Sequence, residues 1–186
     1  MEVPVPETSR KRALCVIDVQ PRTLSPKAKE LIPYMVQLIE RMPYDAYIEA
    51  TYFADQDSMF FKQGNLLRTR EQTGRTAPEL SGALQRTGKP YLVVEKNTRS
   101  FFKAKNAAEL HEFLGANAIE ELHFIGFDIN DCVLASAFDA IDLGYYTYII
   151  EELCHHWDAN DSLKRAALTI YRRQNMTNRS ANRKPD

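Results

Sequence analysis

Leu122–Glu151, LHFIGFDINDCVLASAFDAIDLGYYTYIIE, is the stretch that decides the fold. It opens with a short, mostly apolar run, Leu122–Phe127, of the kind that forms a strand buried on both faces. A polar turn, DIND, leads to Cys132. From Cys132 to Leu143 the residues Val133, Leu134, Ala137, Phe138 and Ile141 recur at the spacing of one helix face. Gly144 closes the helix, and Tyr145–Glu151 is a second strand-like run. Strand, helix and strand with short joints make a βαβ unit, whose two strands run parallel.

Outward from this unit the same alternation continues. Ala13–Asp18, Ala46–Thr51 and Tyr91–Glu95 read as further buried strands. Lys27–Arg41 carries Leu31, Tyr34, Met35, Leu38 and Ile39 on one helix face, and Ala104–Leu114 behaves likewise. Ser162–Arg172 is the last helix, with Asp158, Asn160 or Asp161 available as its cap. The pattern predicts an α/β protein, a three-layer αβα, Rossmann-like arrangement around a mainly parallel sheet of five to six strands. At 186 residues the chain is expected to form a single domain over 1–186, with a polar tail from about 174 to 186 that is solvated or faces a partner. Residues 52–89 are the least regular. Phe53, Phe60, Phe61 and the turn-forming Gly64, Gly74 and Gly88 predict loop and short helix there, as a wall or lid over a site.

Composition excludes several function classes. A formal net charge of −1 gives no footprint for nucleic acid or an anionic membrane. No apolar run approaches the roughly 18–20 residues of a membrane-spanning helix, and the opening MEVPVPETSRKR lacks the apolar core of a secretory signal. Cys15, Cys132 and Cys154 are an odd, sparse set without zinc spacing, which predicts reduced thiols and a cytoplasmic address. His155 and His156 are adjacent, so their side chains diverge, and they read as loop residues rather than ligands.

In open parallel sheets the site lies beyond the carboxyl ends of the strands. Asp18 ends the first strand, Lys96 follows the third, and Cys132 begins the helix after the fourth. A thiol in a helix's first turn feels the positive end of the dipole, which favours thiolate. The unpaired amides of that turn can form an oxyanion hole. A carboxylate at the end of an apolar strand can serve as general base, and a lysine beside it can hold negative charge. Each feature taken singly has a structural explanation: a buried cysteine, a turn-capping aspartate, a surface lysine. Their convergence on one sheet edge favours catalysis.

These segments resemble the isochorismatase-like hydrolases. DVQ at Asp18–Gln20 is similar to that family's first motif, and EKNTRSFF at Glu95–Phe102 to its lysine motif. IGFDINDCVLASAFDAIDLGYYTYIIEELC at Ile125–Cys154 is similar to its longest motif, with Gly126, Cys132, Val133, Ala137, Asp139, Ala140, Gly144 and Tyr145 in place. The resemblance implies the isochorismatase-like hydrolase fold and a catalytic triad of Asp18, Lys96 and Cys132. It implies a hydrolase in which Cys132 attacks a carbonyl, Asp18 acts as base and then acid, and Lys96 supports both. It also implies a non-proline cis peptide at Phe127–Asp128, with backbone from Phe127, Asp128, Asp131 and Cys132 around the oxyanion. Gln20, Phe53, Arg99, Phe101 and Asn130 are the candidate substrate contacts. Family members usually assemble as homodimers or homotetramers.

The departures bear on substrate. Nicotinamidases of the family carry metal-binding histidines after the second strand. The stretch here, TYFADQDSMFF at Thr51–Phe61, has none, which predicts no metal and no cofactor. The family's aromatic after DxQ is replaced by PRTLSP, and Asp128 stands where small residues are usual. If Asp128 faces the site it opposes thiolate formation and favours a cationic substrate. The reading that results is an amidohydrolase cleaving a C–N bond of a small amide, carbamoyl or ureido compound through a thioester. The alternatives are a vinyl-ether hydrolase, a catalytically silent member acting by binding or assembly, and a nucleotide binder. The last lacks a glycine-rich loop after the first strand.

Overall fold

The computed structural model describes residues 3–6, 8–64 and 73–180. Parts of the opening segment, of the expected wall or lid and of the tail (residues 1–2, 7, 65–72 and 181–186) therefore lie outside the described residues. Each predicted apolar run forms a strand: β1 (Arg12–Ile17), β2 (Ala46–Tyr52), β3 (Tyr91–Lys96), β4 (Glu121–Gly126) and β5 (Tyr146–Cys154). They make one sheet in the order β3-β2-β1-β4-β5 with every pairing parallel.

Helices cover both faces. α1 (Pro26–Lys29), α2 (Ile32–Arg41) and α4 (Pro78–Arg86) pack on one face, where Leu14, Val16, Tyr47 and Ile125 meet Met35, Leu38, Leu80 and Leu84. α5 (Ala107–Ala116), α6 (Cys132–Asp142) and α7 (Asp161–Arg173) pack on the other, with Cys15, Ile48, Phe124, Leu110, Val133 and Tyr171 in that core. A short α3 (Met59–Gly64) follows β2. The predicted Lys27–Arg41 helix is two helices. Pro33 in the first turn of α2 cannot supply the amide a continuous helix would need there. α7 is capped by Asn160, whose Oδ1 accepts from the amides of Ser162 and Leu163.

The predicted solvated tail is corrected in part. Met176, Thr177, Asn178 and Ser180 are buried. Ile149 N donates to Met176 O at 2.7 Å and Asn178 N to Ile149 O at 2.9 Å, a single bridge beside β5 in place of a sixth strand. The polar side chains are consumed internally: Asn178 Oδ1 accepts from Glu151 N, and its Nδ2 donates to Pro4 O and Glu152 Oε2.

Strand order reverses between β1 and β4, which opens a crevice at their carboxyl ends. Gly126 makes that junction tight. Its φ is +122°, and a Cβ there would stand 2.0 Å from the Ile17 carbonyl oxygen. Only glycine lets the next amide, Phe127 N, bond Ile17 O at 2.9 Å.

Candidate active site

Asp18 leaves β1 with φ +51°, and its amide bonds Ala50 O at 2.9 Å. This turn sends the carboxylate across the end of β2. Oδ1 accepts from Tyr52 N at 2.8 Å, and Oδ2 accepts from Lys96 Nζ at 2.6 Å. Lys96 pairs in register with Tyr52, so its stem must pass the end of β2 to reach Asp18. It is fully buried and also donates to Thr98 O. Cys132, first residue of α6, places its thiol close enough to Asp18 and Lys96 for their charges to act on it. The three side chains singled out at separate strand ends therefore converge at one place, with Asp18 and Lys96 in direct contact.

Burial dominates their titration. It pushes Asp18 above the usual carboxylate range, although Lys96 and the Cys132 thiol pull it back. Burial would lower Lys96, but the Asp18 carboxylate beside it more than offsets this, and its ammonium is held. Cys132 is pushed well above the usual thiol range by burial, with Asp18 and Asp131 adding to the rise against Lys96. The direction is opposite to the lowering expected at a helix start: burial and two nearby carboxylates raise the thiol.

The Phe127–Asp128 peptide bond is cis. Two of the four backbone groups expected at an oxyanion are already used: Phe127 N bonds Ile17 O, and Asp131 N bonds Asp128 O at 3.0 Å. Asp128 faces the loop after β5, where its Oδ1 accepts from Trp157 N at 2.6 Å. Burial raises it to about 6, His156 pulls it down, and Asp18 lies close enough to push it up.

The expected substrate contacts divide. Gln20 is 1% exposed, and its Nε2 donates to the carbonyls of Tyr52, Thr73 and Gly74, so it braces the wall. Phe101 is core, stacked on Phe102 at 4.4 Å and beside Phe124. Arg99 is paired with Asp131 and lies over the Phe60 ring, which leaves it engaged rather than presented to a carboxylate. Phe53 lines a cleft of about 640 Å³ with Tyr52, Arg75, Thr76 and Glu95. Asn130 lies in the loop leading to Cys132, and its buried Oδ1 has no hydrogen-bond partner. No motif in the sequence singles out Tyr52. Its signal is its position, the last residue of a strand at the carboxyl edge, between the ends of β1 and β3.

The stretch after β2 does not fit a metal. Asp55 accepts from Asn97 Nδ2 at 2.7 Å and from Asp57 N, and faces Lys105 at 3.8 Å. Among the described residues no three His, Cys, Asp or Glu side chains gather into a metal-holding group.

The family model described as the isochorismatase domain matches residues 12–180. No curated protein matches the chain. Among solved structures, pyrazinamidase/nicotinamidase from Streptococcus mutans UA159 is 18% identical, covers 88% of this chain and 96% of its own, and superposes with a TM-score of 0.72. An isochorismatase-like hydrolase from Alkaliphilus metalliredigens gives 19%, 90%, 92% and 0.71, and N-carbamoylsarcosine amidase from Thermoplasma acidophilum gives 20%, 87%, 92% and 0.66. At these identities the structural likeness speaks for the fold, and the family model, which spans nearly the whole chain, speaks for descent: the chain belongs to the isochorismatase family.

Proposed function

We propose that the protein is a cysteine amidohydrolase acting on a small amide, carbamoyl or ureido compound. The observation that carries this reading is the buried Lys96–Asp18 ion pair at 2.6 Å with the Cys132 thiol against both groups. Asp18 takes the proton from Cys132 Sγ as the sulfur attacks the carbonyl carbon. Negative charge moves to the carbonyl oxygen, where the Cys132 amide and the α6 dipole stabilise it. Asp18 then delivers the proton to the departing nitrogen, the C–N bond breaks, and a thioester remains. A water attacks the thioester and gives its proton to Asp18, which returns it to sulfur as the acid product leaves. Lys96 keeps the count balanced, because at each stage it faces at least one anion. The nicotinamidase and N-carbamoylsarcosine amidase relatives support C–N cleavage as the reaction class, and the absence of histidine after β2 argues for a substrate not held by a metal.

The test is ammonia release from a panel of primary amides, N-carbamoyl amines and ureido acids, with wild type, Cys132→Ala and Asp18→Asn. The expected result is turnover of at least one compound that falls by about a thousandfold or more in both variants. Undiminished turnover in Cys132→Ala, or none with any compound in the wild type, refutes the reading.

A further inference from the structure

We infer that the Tyr52 hydroxyl is a specificity-determining contact, which hydrogen-bonds an uncharged carboxamide-like group of the substrate beside the reacting thiol. The inference rests on the cysteine hydrolase reading above. Tyr52 is 9% exposed, and its hydroxyl is shut off from solvent without a hydrogen-bond partner among the described residues. Buried tyrosines ordinarily pair that group, because an unpaired buried hydroxyl loses the hydrogen bond it made to water. The backbone of Tyr52 is fixed by Asp18, and its ring is wedged at 5.5 Å from Lys96 Nζ and edge-on to Phe60 at 5.3 Å. Burial pushes its pKa up, and the charges that act on it are Lys96, Cys132, Asp18 and Asp55, which places it amid the reacting groups.

The charges around it define the ligand. Lys96 is neutralised by Asp18 and Arg99 by Asp131, while Asp128 and Asp55 add further carboxylates. At the hydroxyl itself a carboxylate ligand would meet the Asp18 and Asp55 charges that already act on Tyr52. A neutral group with both donor and acceptor atoms suits the Tyr52 hydroxyl instead, which can give or accept. A carboxamide presents that set. Tyr52 also lines the cleft of Phe53, Arg75 and Thr76, so the rest of such a ligand has room to pass along its ring.

The test compares Tyr52→Phe with wild type by intact-protein mass spectrometry of Cys132 labelling. Iodoacetamide is the carboxamide probe, methyl methanethiosulfonate is a thiol reagent without an amide, and melting temperature is read alongside. The expected result is an iodoacetamide rate about tenfold lower at an unchanged thiosulfonate rate, and a melting temperature no lower than wild type, since the lost hydroxyl had no partner to abandon. An unchanged ratio of the two rates overturns the Tyr52 assignment while leaving the hydrolase reading intact. An equal fall in both overturns it too, because Tyr52 then acts on the thiol. If neither reagent labels Cys132 in the wild type, the hydrolase reading fails and the assignment falls with it.

Discussion

Replacing Lys96 by methionine removes the cation and keeps most of the buried volume. The Lys96 Nζ–Asp18 Oδ2 distance of 2.6 Å corresponds to an attraction of about 6 kcal/mol at an effective dielectric constant near 20. Two effects reduce the net loss. Methionine no longer pays the desolvation of a buried ammonium, and Asp18 can relieve its isolation by taking up a proton. The expected destabilisation at about pH 8 is therefore about 3–5 kcal/mol, the range for breaking one partner out of a buried pair. With a urea m-value of about 2 kcal/mol/M, the midpoint falls by about 1.5–2.5 M. The sign with pH is fixed. Asp18 is already raised in the folded protein, and losing Lys96, which pulls it down, raises it further. Between the unfolded and folded values the folded state binds more protons, so stability falls as pH rises through that window. The variant should accordingly lose less at about pH 5 than at about pH 8, and Lys96→Met combined with Asp18→Asn should recover most of the loss. A deficit that ignores pH and is not relieved by Asp18→Asn would show that Lys96 stabilises by packing, and the ion-pair argument would be wrong.

Asp18→Asn removes an anion that raises the Cys132 thiol, so it should shift the labelling profile of Cys132 to lower pH while abolishing hydrolysis; slower labelling across the range contradicts the assigned electrostatics. Asp128, raised to about 6 by burial, binds the Trp157 amide, so fluorescence of the single tryptophan should titrate near pH 6 and lose that step in Asp128→Asn. Because Asp128 is raised, stability falls with rising pH between its unfolded value and about 6, and urea midpoints of Asp128→Asn should be flatter there. Asn178→Ala strands Glu151 N and Pro4 O and should cost about 2–3 kcal/mol by urea unfolding, whereas a solvated tail would predict almost none.

The five strands were legible because parallel strands buried on both faces must be nearly continuous apolar runs, and Ala46–Tyr52 and Glu121–Gly126 are buried throughout. The convergence of Asp18, Lys96 and Cys132 followed from topology, since each ends or follows a strand at the carboxyl edge. What escaped the sequence were the partners that polar residues choose. Gln20 looks like a site residue, yet its amide is spent on three wall carbonyls. Arg99 looks presented to a ligand, yet Asp131 holds it. Met176–Ser180 reads as solvated because it is polar, and it is buried because those polar atoms bond to β5 and the opening segment. Pro78, Leu80, Ala83 and Leu84 did carry a helix-start signal and an apolar face, but within an irregular stretch they read as loop and short helix.

On the proposed reading, the raised thiol gives each of the three side chains a task. A thiolate at Cys132 would be a second buried anion beside Asp18, with Lys96 as the cation that acts on both. Such a state is disfavoured at rest, so reactivity must come from moving the proton during attack. Asp18 suits that task because burial raises its affinity for a proton while Lys96 keeps it ionised until the thiol delivers one. Once the proton has moved, Asp18 is neutral and Lys96 faces the sulfur's new charge alone, so the pair changes partner without any ion leaving its place. On that reading Cys132 reacts with thiol reagents at rest, but slowly, and is fastest toward a carbonyl seated in the crevice at the β1–β4 junction.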